Sequence, residues 1–469
     1  MLNDLINISQ KIFNPLINLG PAVLTMLVLT VAAVLVGVKF SKALQGGLTL
    51  AIALVGIGAV MGILTNAFNE PLQSFVKNTG IELNTLDVGW APLGTITWSS
   101  PYTLFFLFIL VILNVVLILT KKTNTLDVDI FNVWHLAFTA LFAMHLGASL
   151  IVTILMVLLV GVLKFINADI MRPTFNKLLN APKDNPMTTT HMSYMMNPFI
   201  MIFNKIFDKF FYKLDKYDFD AAKLNNKIGF WGSRFSIGVY LGIFIGILAK
   251  MNIVSTLTLG FTAGACLELF ANIGQWFIRA VEPLSQGIAD FANKKLGGRQ
   301  LNISIDWPFI AGKSEIWLVA NILAPILLVA SLILPGNTVL PLAGIICTSL
   351  SPGLLVVTGG KVIRMIVIGI FELPIFLYAS TIVAPFITET AHNLGAFPAG
   401  VDAGTQITFS TMEGPIEKFL AYFVGKASSG QIKDILIALV FVVVYVSLFF
   451  WYKREMDKRN IEIEKEYDK

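Results

Sequence analysis

Two stretches of this chain gather hydroxyl groups around a single ionisable side chain. One is Thr188-Thr189-Thr190-His191-Met192-Ser193-Tyr194-Met195-Met196-Asn197-Pro198, and the other is Gly404-Thr405-Gln406-Ile407-Thr408-Phe409-Ser410-Thr411-Met412-Glu413-Gly414-Pro415. Each closes on a proline placed to open a helix, where a missing N–H costs nothing. A carboxylate such as Glu413 beside an imidazole such as His191 can accept the proton of a hydroxyl under attack. Thr190, Ser193 and Thr411 would then hold a hydroxylated ligand in place. A third cluster, Asp127-Val128-Asp129-Ile130-Phe131-Asn132-Val133-Trp134-His135, runs into a long apolar stretch. Asn132 and His135 are three residues apart and share a helical face, with Trp134 as an apolar plate beside them. That combination suits a sugar alcohol, whose hydroxyls need donors and acceptors and whose C–H edge stacks on an indole. It equally suits an interfacial Trp-His pair anchoring a helix end. Ser99 and Tyr102, in Trp98-Ser99-Ser100-Pro101-Tyr102-Thr103, join the binding candidates, the plainer reading being a capped helix entry. Cys266 and Cys347 both lie in apolar runs, which argues against a disulfide framework, a metal site or a thiol nucleophile. No cofactor is called for.

These clusters sit in a chain that must be solvated by lipid. Of 469 residues 56% are hydrophobic and 13% charged, with a mean hydropathy of +0.76, which fits no ordinary soluble protein. Apolar runs of spanning length recur at Pro21 to Val38, Leu44 to Leu64, Thr103 to Thr120, Trp134 to Leu163, Phe235 to Ala249, Val254 to Ile273, Ile316 to Leu334, Val339 to Val357, Val362 to Pro385 and Ile432 to Trp451. The expectation is an all-α polytopic protein of the inner membrane with about ten spanning helices. Met1 to Gly20, with Asp4, Lys11, Asn14 and Pro15, lacks the shape of a cleavable signal, so the first span is expected to stay. The net charge of +5 sits in loops and carries topology rather than nucleic-acid affinity. Basic residues at Lys39 and Lys42, at Lys121 and Lys122, from Lys164 to Arg234 and in the tail at Lys453, Arg454, Lys458 and Arg459 mark cytoplasmic turns. The tail reads as a solvated helix end, and 205–230 as a connector, either soluble or lying on the membrane surface.

Non-helical backbone at membrane depth is tolerated only under a cover of protein or beside a watery cavity. The two hydroxyl-rich stretches are therefore either re-entrant hairpins, near 188–200 and 404–418, or two surface loops with ordinary helix starts. Charges within spans are expensive and usually functional. Glu268, Glu372 and Glu413 are the candidates, with Glu413 first because it lies in a hairpin-like stretch. The halves of the chain are weakly alike: Leu48-Thr49-Leu50 matches Leu257-Thr258-Leu259 and Trp98 matches Trp307, both at an offset of 209, which drifts to 217 where Asn197-Pro198-Phe199-Ile200 lines up with Gly414-Pro415-Ile416-Glu417. Repeats at 1–230 and 231–452, followed by a charged tail at 453–469, would be inverted if each holds an odd number of spans.

Several stretches are similar to the galactitol-type enzyme IIC family of the phosphoenolpyruvate-dependent phosphotransferase system, within the ascorbate–galactitol group. They are Phe13-Asn14, Leu19-Gly20, Gly37-Val38-Lys39-Phe40-Ser41-Lys42-Ala43-Leu44, Gly47-Leu48-Thr49, Asp129-Ile130-Phe131-Asn132-Val133-Trp134-His135, Leu257-Thr258-Leu259-Gly260-Phe261-Thr262-Ala263-Gly264 and Leu332-Ile333-Leu334-Pro335-Gly336-Asn337-Thr338-Val339-Leu340-Pro341-Leu342-Ala343. The resemblance implies a homodimer with scaffold and mobile core domains that moves its substrate by an elevator-like motion. It also implies a separate, cysteine-phosphorylated enzyme IIB, supplied by enzyme IIA, that phosphorylates the bound sugar. The family's polar site would fall on Asn132, Trp134 and His135, on His191 and its hydroxyl neighbours, and around Glu413. Departures from the family pattern at Ile310-Ala311-Gly312-Lys313-Ser314-Glu315, before Met412 and at Cys266 to Asn272 leave open which polyol is carried. An ion-coupled polyol carrier, with Glu413, Glu372 or His191 as a proton site, is the rival from another class. A receptor that binds sugar without moving it is a third.

Overall fold

The computed structural model describes residues 21–35, 37–79, 83–127, 130–179, 187–219, 227, 229–295, 301–304, 313–341, 350–398 and 401–467. In chain order its elements are α1 (Pro21–Leu35), α2 (Phe40–Thr79), β1 (Thr85–Asp87), α3 (Ala91–Trp98), α4 (Pro101–Leu119), β2 (Thr125–Asp127), α5 (Ile130–His145), α6 (Leu150–Leu179), β3 (Met187–Thr188) and α7 (Asn197–Phe210). There follow α8 (Arg234–Leu248), α9 (Ile253–Lys295), β4 (Asn302–Ser304), α10 (Ser314–Ile333), β5 (Val339–Leu340), α11 (Ser351–Thr358), α12 (Val362–Asn393), β6 (Gln406–Thr408), α13 (Pro415–Ala427) and α14 (Ile432–Tyr467). The protein is mostly helical, and α6, α10, α12 and α14 are each long and apolar enough to cross a membrane.

The two halves of this order correspond. A short helix, a long proline-containing helix, a strand, a helix, a strand, a helix, a long helix, a strand and a proline-opened helix occur in α1 to α7 and again in α8 to α13, except that the first half places two helices, α3 and α4, where the second has α10 alone among the described residues. The strands interlock the halves. One parallel sheet has the order β5-β1-β6 and the other β2-β4-β3. Each half thus lends its first strand to the sheet built by the other half's second and third. These strands occupy the places where the chain is not helical, and they pair backbone groups that lipid could not satisfy.

α1, α2, α8 and α9 pack together. Gly238 and Gly242 let α8 approach α9 so closely that a Cβ at Gly238 would lie 2.6 Å from the Cα of Gly264, and one at Gly242 2.6 Å from that of Gly260. Small residues four apart on facing helices are the usual means of tight packing in membranes, where apolar side chains gain nothing by leaving lipid.

The structure corrects four readings of the sequence. The apolar run Trp134 to Leu163 is two helices, α5 and α6, divided by a turn with Gly147 at φ 102°, because hydropathy reports burial and not chain direction. Val339 to Val357 opens as strand β5 rather than as helix. Lys164 starts no cytoplasmic loop: it lies inside α6, 3% exposed, neutralised by the Asp127 carboxylate 2.8 Å away. The charged tail is not solvated all round. α14 runs on to Tyr467 with Tyr452, Met456, Asn460 and Ile463 buried as one stripe. Arg459 donates to the α11 carbonyls of Val356 and Val357 and to Thr174 of α6.

In the connector, Arg364 at the start of α12 donates to both oxygens of Asp215, to Asp208 and to Asn204, while Lys361 reaches Asp215 at 2.7 Å. The Arg364 hydrogen bonds hold the Asp215 carboxyl down at about 2. Because the folded state lowers this value, the clamp is complete above the ordinary carboxylate range and is lost as pH falls through about 2. The Arg364→Gln variant is expected to lose amide protection across 205–219 at neutral pH, read by hydrogen exchange. Unchanged protection would mean that the clamp does not hold the connector.

Candidate functional site

Glu413 lies in the turn between β6 and α13. Its carboxylate, from the second half of the chain, faces two imidazoles from the first: His135 Nε2 at 3.5 Å and His191 Nε2 at 4.0 Å. All three side chains are nearly enclosed, at 16%, 9% and 5% exposure. His135 comes from the second turn of α5. The Trp134 ring stacks on it at 3.8 Å, and Trp90 lies behind at 6.3 Å. His191 precedes the 3-10 turn Met192–Met196, and its Nδ1 meets the Ser193 hydroxyl at 2.6 Å and the Ser193 N–H at 3.2 Å. This tie fixes the ring plane and turns Nε2 towards Glu413. Gly414, at φ 69°, makes the sharp entry to α13.

The two sheets hold these loops in equivalent ways. In one, the Thr190 hydroxyl is 2.9 Å from Asp127 at the end of β2 and 2.8 Å from Ser304 at the end of β4. In the other, Ser410, two residues beyond β6, donates to Asp87 at the end of β1. The loop bearing His191 is therefore pinned by a strand from the second half, and the loop bearing Glu413 by a strand from the first. Two lysines are buried here. Lys164 pairs with Asp127, and Lys418 Nζ donates to the Glu413 carbonyl at 3.1 Å. A nearly enclosed carboxylate able to take a proton and two imidazoles facing it can hydrogen-bond a hydroxylated ligand and deprotonate it. Among the described residues no group of His, Cys, Asp and Glu could hold a metal ion.

A family model described as "PTS system sugar-specific permease component" matches residues 15–400. The chain belongs to this family. The permease is thus an integral protein of the inner membrane and a component of the phosphotransferase system. It is similar to the PTS system galactitol-specific EIIC component of Escherichia coli (strain K12), 26% identical over 393 residues, 83% of this chain and 86% of the relative. It is also similar to a putative permease IIC component of the same organism, 26% identical over 397 residues, 83% of this chain and 89% of the relative. The family match ends before Glu413, so that residue's place in the permease site rests on geometry.

Of the residues picked from the sequence, the structure brings His135, His191, Glu413, Trp134, Ser193 and Thr190 together, with Thr411 buried two residues before Glu413. Trp134 does not present an open plate, since one face already carries the His135 ring. Asn132 falls on the first turn of α5, where only the backbone is described. Ser99 ends α3, its N–H bonded to Thr95, and the Tyr102 N–H is bonded to Ser100 at the start of α4. These are helix-boundary roles. His145 faces Glu389 at 3.8 Å and so belongs to another part of the permease. Glu268 is exposed. Glu372 is buried in α12, with no hydrogen-bond partner for either carboxylate oxygen among the described residues.

The sequence reading passed over Asp87, Trp90, Lys164, Ser304, Glu417 and Lys418. Lys164 carried a signal, a lone cation in an apolar run. Glu417 and Lys418 carried none, because their segment reads as an ordinary amphipathic helix start. At Gly414 an added Cβ would lie 2.4 Å from Glu417 Oε2, on a backbone that L residues avoid. Gly414→Ala is expected to destabilise the permease by about 1–3 kcal/mol, read as a lower melting temperature. A melt like that of the native protein would show that the turn relaxes freely.

Proposed function

We propose that this permease carries a sugar alcohol, galactitol or a related pentitol or hexitol, across the inner membrane and holds one hydroxyl against a phosphoryl group on a cysteine of a separate enzyme IIB, itself charged by enzyme IIA. The convergence of His135 and His191 on Glu413 carries this reading. An enclosed carboxylate between two imidazoles, one of them stacked on an indole, suits a neutral hydroxylated ligand that must lose a proton. In the transfer, the sugar oxygen attacks phosphorus, the O–P bond forms and the S–P bond breaks. The hydroxyl proton goes to Glu413, and the cysteine leaves as thiolate. His191 and His135 hold the carboxylate and the hydroxyls in line, and phosphorylation makes import irreversible.

The motion proposed is elevator-like, within a homodimer. α1, α2, α8 and α9 serve as the scaffold, and the interlocked sheets with their two re-entrant hairpins serve as the mobile core, in two inverted repeats. The recurring element order and the exchanged strands support this division.

The test is uptake of radiolabelled galactitol, with pentitols and other hexitols in parallel, into cells expressing the chain with and without its enzyme IIB. Label recovered only as sugar phosphate, and only with enzyme IIB, is the expected result. Free sugar accumulating without enzyme IIB would overturn it.

A further inference from the structure

Lys418 is out of place by every local criterion. It sits in the first turn of α13, the positive end of the helix dipole, where a cation is disfavoured. Its side chain is 1% exposed, and burying an ammonium costs several kcal/mol. An ammonium has three N–H donors. Among the described residues this one makes a single hydrogen bond, to the Glu413 carbonyl at 3.1 Å. It lies over the face of Phe138, 5.4 Å from the ring centre, and Phe138 stands one turn along α5 from His135, on the same face. Lys164, the other buried lysine, is matched by Asp127 at 2.8 Å. The negative charges that act on Lys418 are those of Glu417 and Glu413; Glu417, also 1% exposed, has carboxylate oxygens with no hydrogen-bond partner among the described residues.

A neutral polyol gives no reason to bury such a group. A phosphoryl group does: its transfer spreads negative charge over three oxygens, and the protein's part is to place positive charge against them. We propose that Lys418 receives the negative charge of the phosphoryl group as it arrives on the sugar, with its two unspent N–H donors turned to the phosphoryl oxygens. The inference rests on the group-transfer reading above. Lys418 makes and breaks no covalent bond and keeps its proton throughout. Glu413 takes the hydroxyl proton while Lys418, tied to the same turn, offsets the charge that builds up beside it.

The experiment is equilibrium binding of galactitol and of galactitol phosphate to the purified full-length permease, without enzyme IIB, for the native chain, Lys418→Met and Lys418→Arg. Lys418→Gln replaces the Met variant if that one does not purify as a single species. The expected result is galactitol affinity within about threefold of native, galactitol phosphate affinity lowered roughly 10- to 100-fold, as for loss of a hydrogen bond to a charged group, and recovery in Lys418→Arg. Equal losses for both ligands would mean that Lys418 only props the Glu413 turn, and no loss for either that it faces neither. Both outcomes overturn the proposal. A native chain that binds neither polyol nor its phosphate would instead overturn the group-transfer reading, and this inference with it.

Discussion

Replacing Glu413 with glutamine is expected to lower sugar phosphorylation by about 10²- to 10⁴-fold, the usual worth of a positioned general base, while galactitol binding changes little. The amide keeps the size and hydrogen-bonding reach of the carboxylate towards His135 and His191, which lie 3.5 and 4.0 Å away, but it cannot take a proton. A loss confined to the chemical step separates this residue from Ser193, whose work is to set the His191 ring. Single-turnover transfer from phosphorylated enzyme IIB, with binding measured alongside, is the check. Full-rate transfer by Glu413→Gln would move the base elsewhere, with His191 first in line.

The second large effect is on stability. Asp127 and Lys164 are 2.8 Å apart, with side chains 6% and 2% exposed, and Asp127 also accepts from Thr190. Removing one partner of a buried pair leaves an uncompensated charge, at a cost of about 3–5 kcal/mol. Asp127→Asn should therefore melt far below the native protein, and so should Lys164→Met. The double variant, which removes both charges, should recover most of the loss. Thermal unfolding in one detergent compares all four. Single variants that melt like the native chain would mean that the pair is open to water. The double variant also tests position: if it is stable yet slow in transfer, Asp127 sets the His191 loop through Thr190 as well as balancing Lys164.

The helical membrane character was legible because it is written in composition and apolar run length, which need no knowledge of contacts. So were the two hydroxyl-rich stretches, since polar residues between spans must be covered by something. Pairing was not legible. Nothing in Thr85-Leu86-Asp87 or Asn302-Ile303-Ser304 announces a strand, because two or three residues hold no period, and their partners lie in the other half of the chain. The repeat offset shows the same limit. Residue matches gave 209 near the start, whereas β1 to β4 differ by 217 and β3 to β6 by 219, since loops between equivalent elements differ in length. Lys418 stayed hidden because a lysine among Pro415, Ile416 and Glu417 looks like a wetted helix start until α5 and its Phe138 are seen to cover it.

The exchanged strands also govern how the molecule can be made. Thr85 contacts Thr338 and Gln406, partners 253 and 321 residues further along the chain. At about 5–20 residues per second, β1 leaves the ribosome on the order of 15 to 60 s before its second neighbour exists. Through that interval its unpaired backbone must be sheltered by the insertion machinery or by neighbouring helices, as must the vacant middle of the other sheet. Neither half can finish its own sheet alone. Assembly of the functional centre therefore waits until β6 has been translated, and a chain cut short anywhere before β6 would leave an open edge for quality control to find.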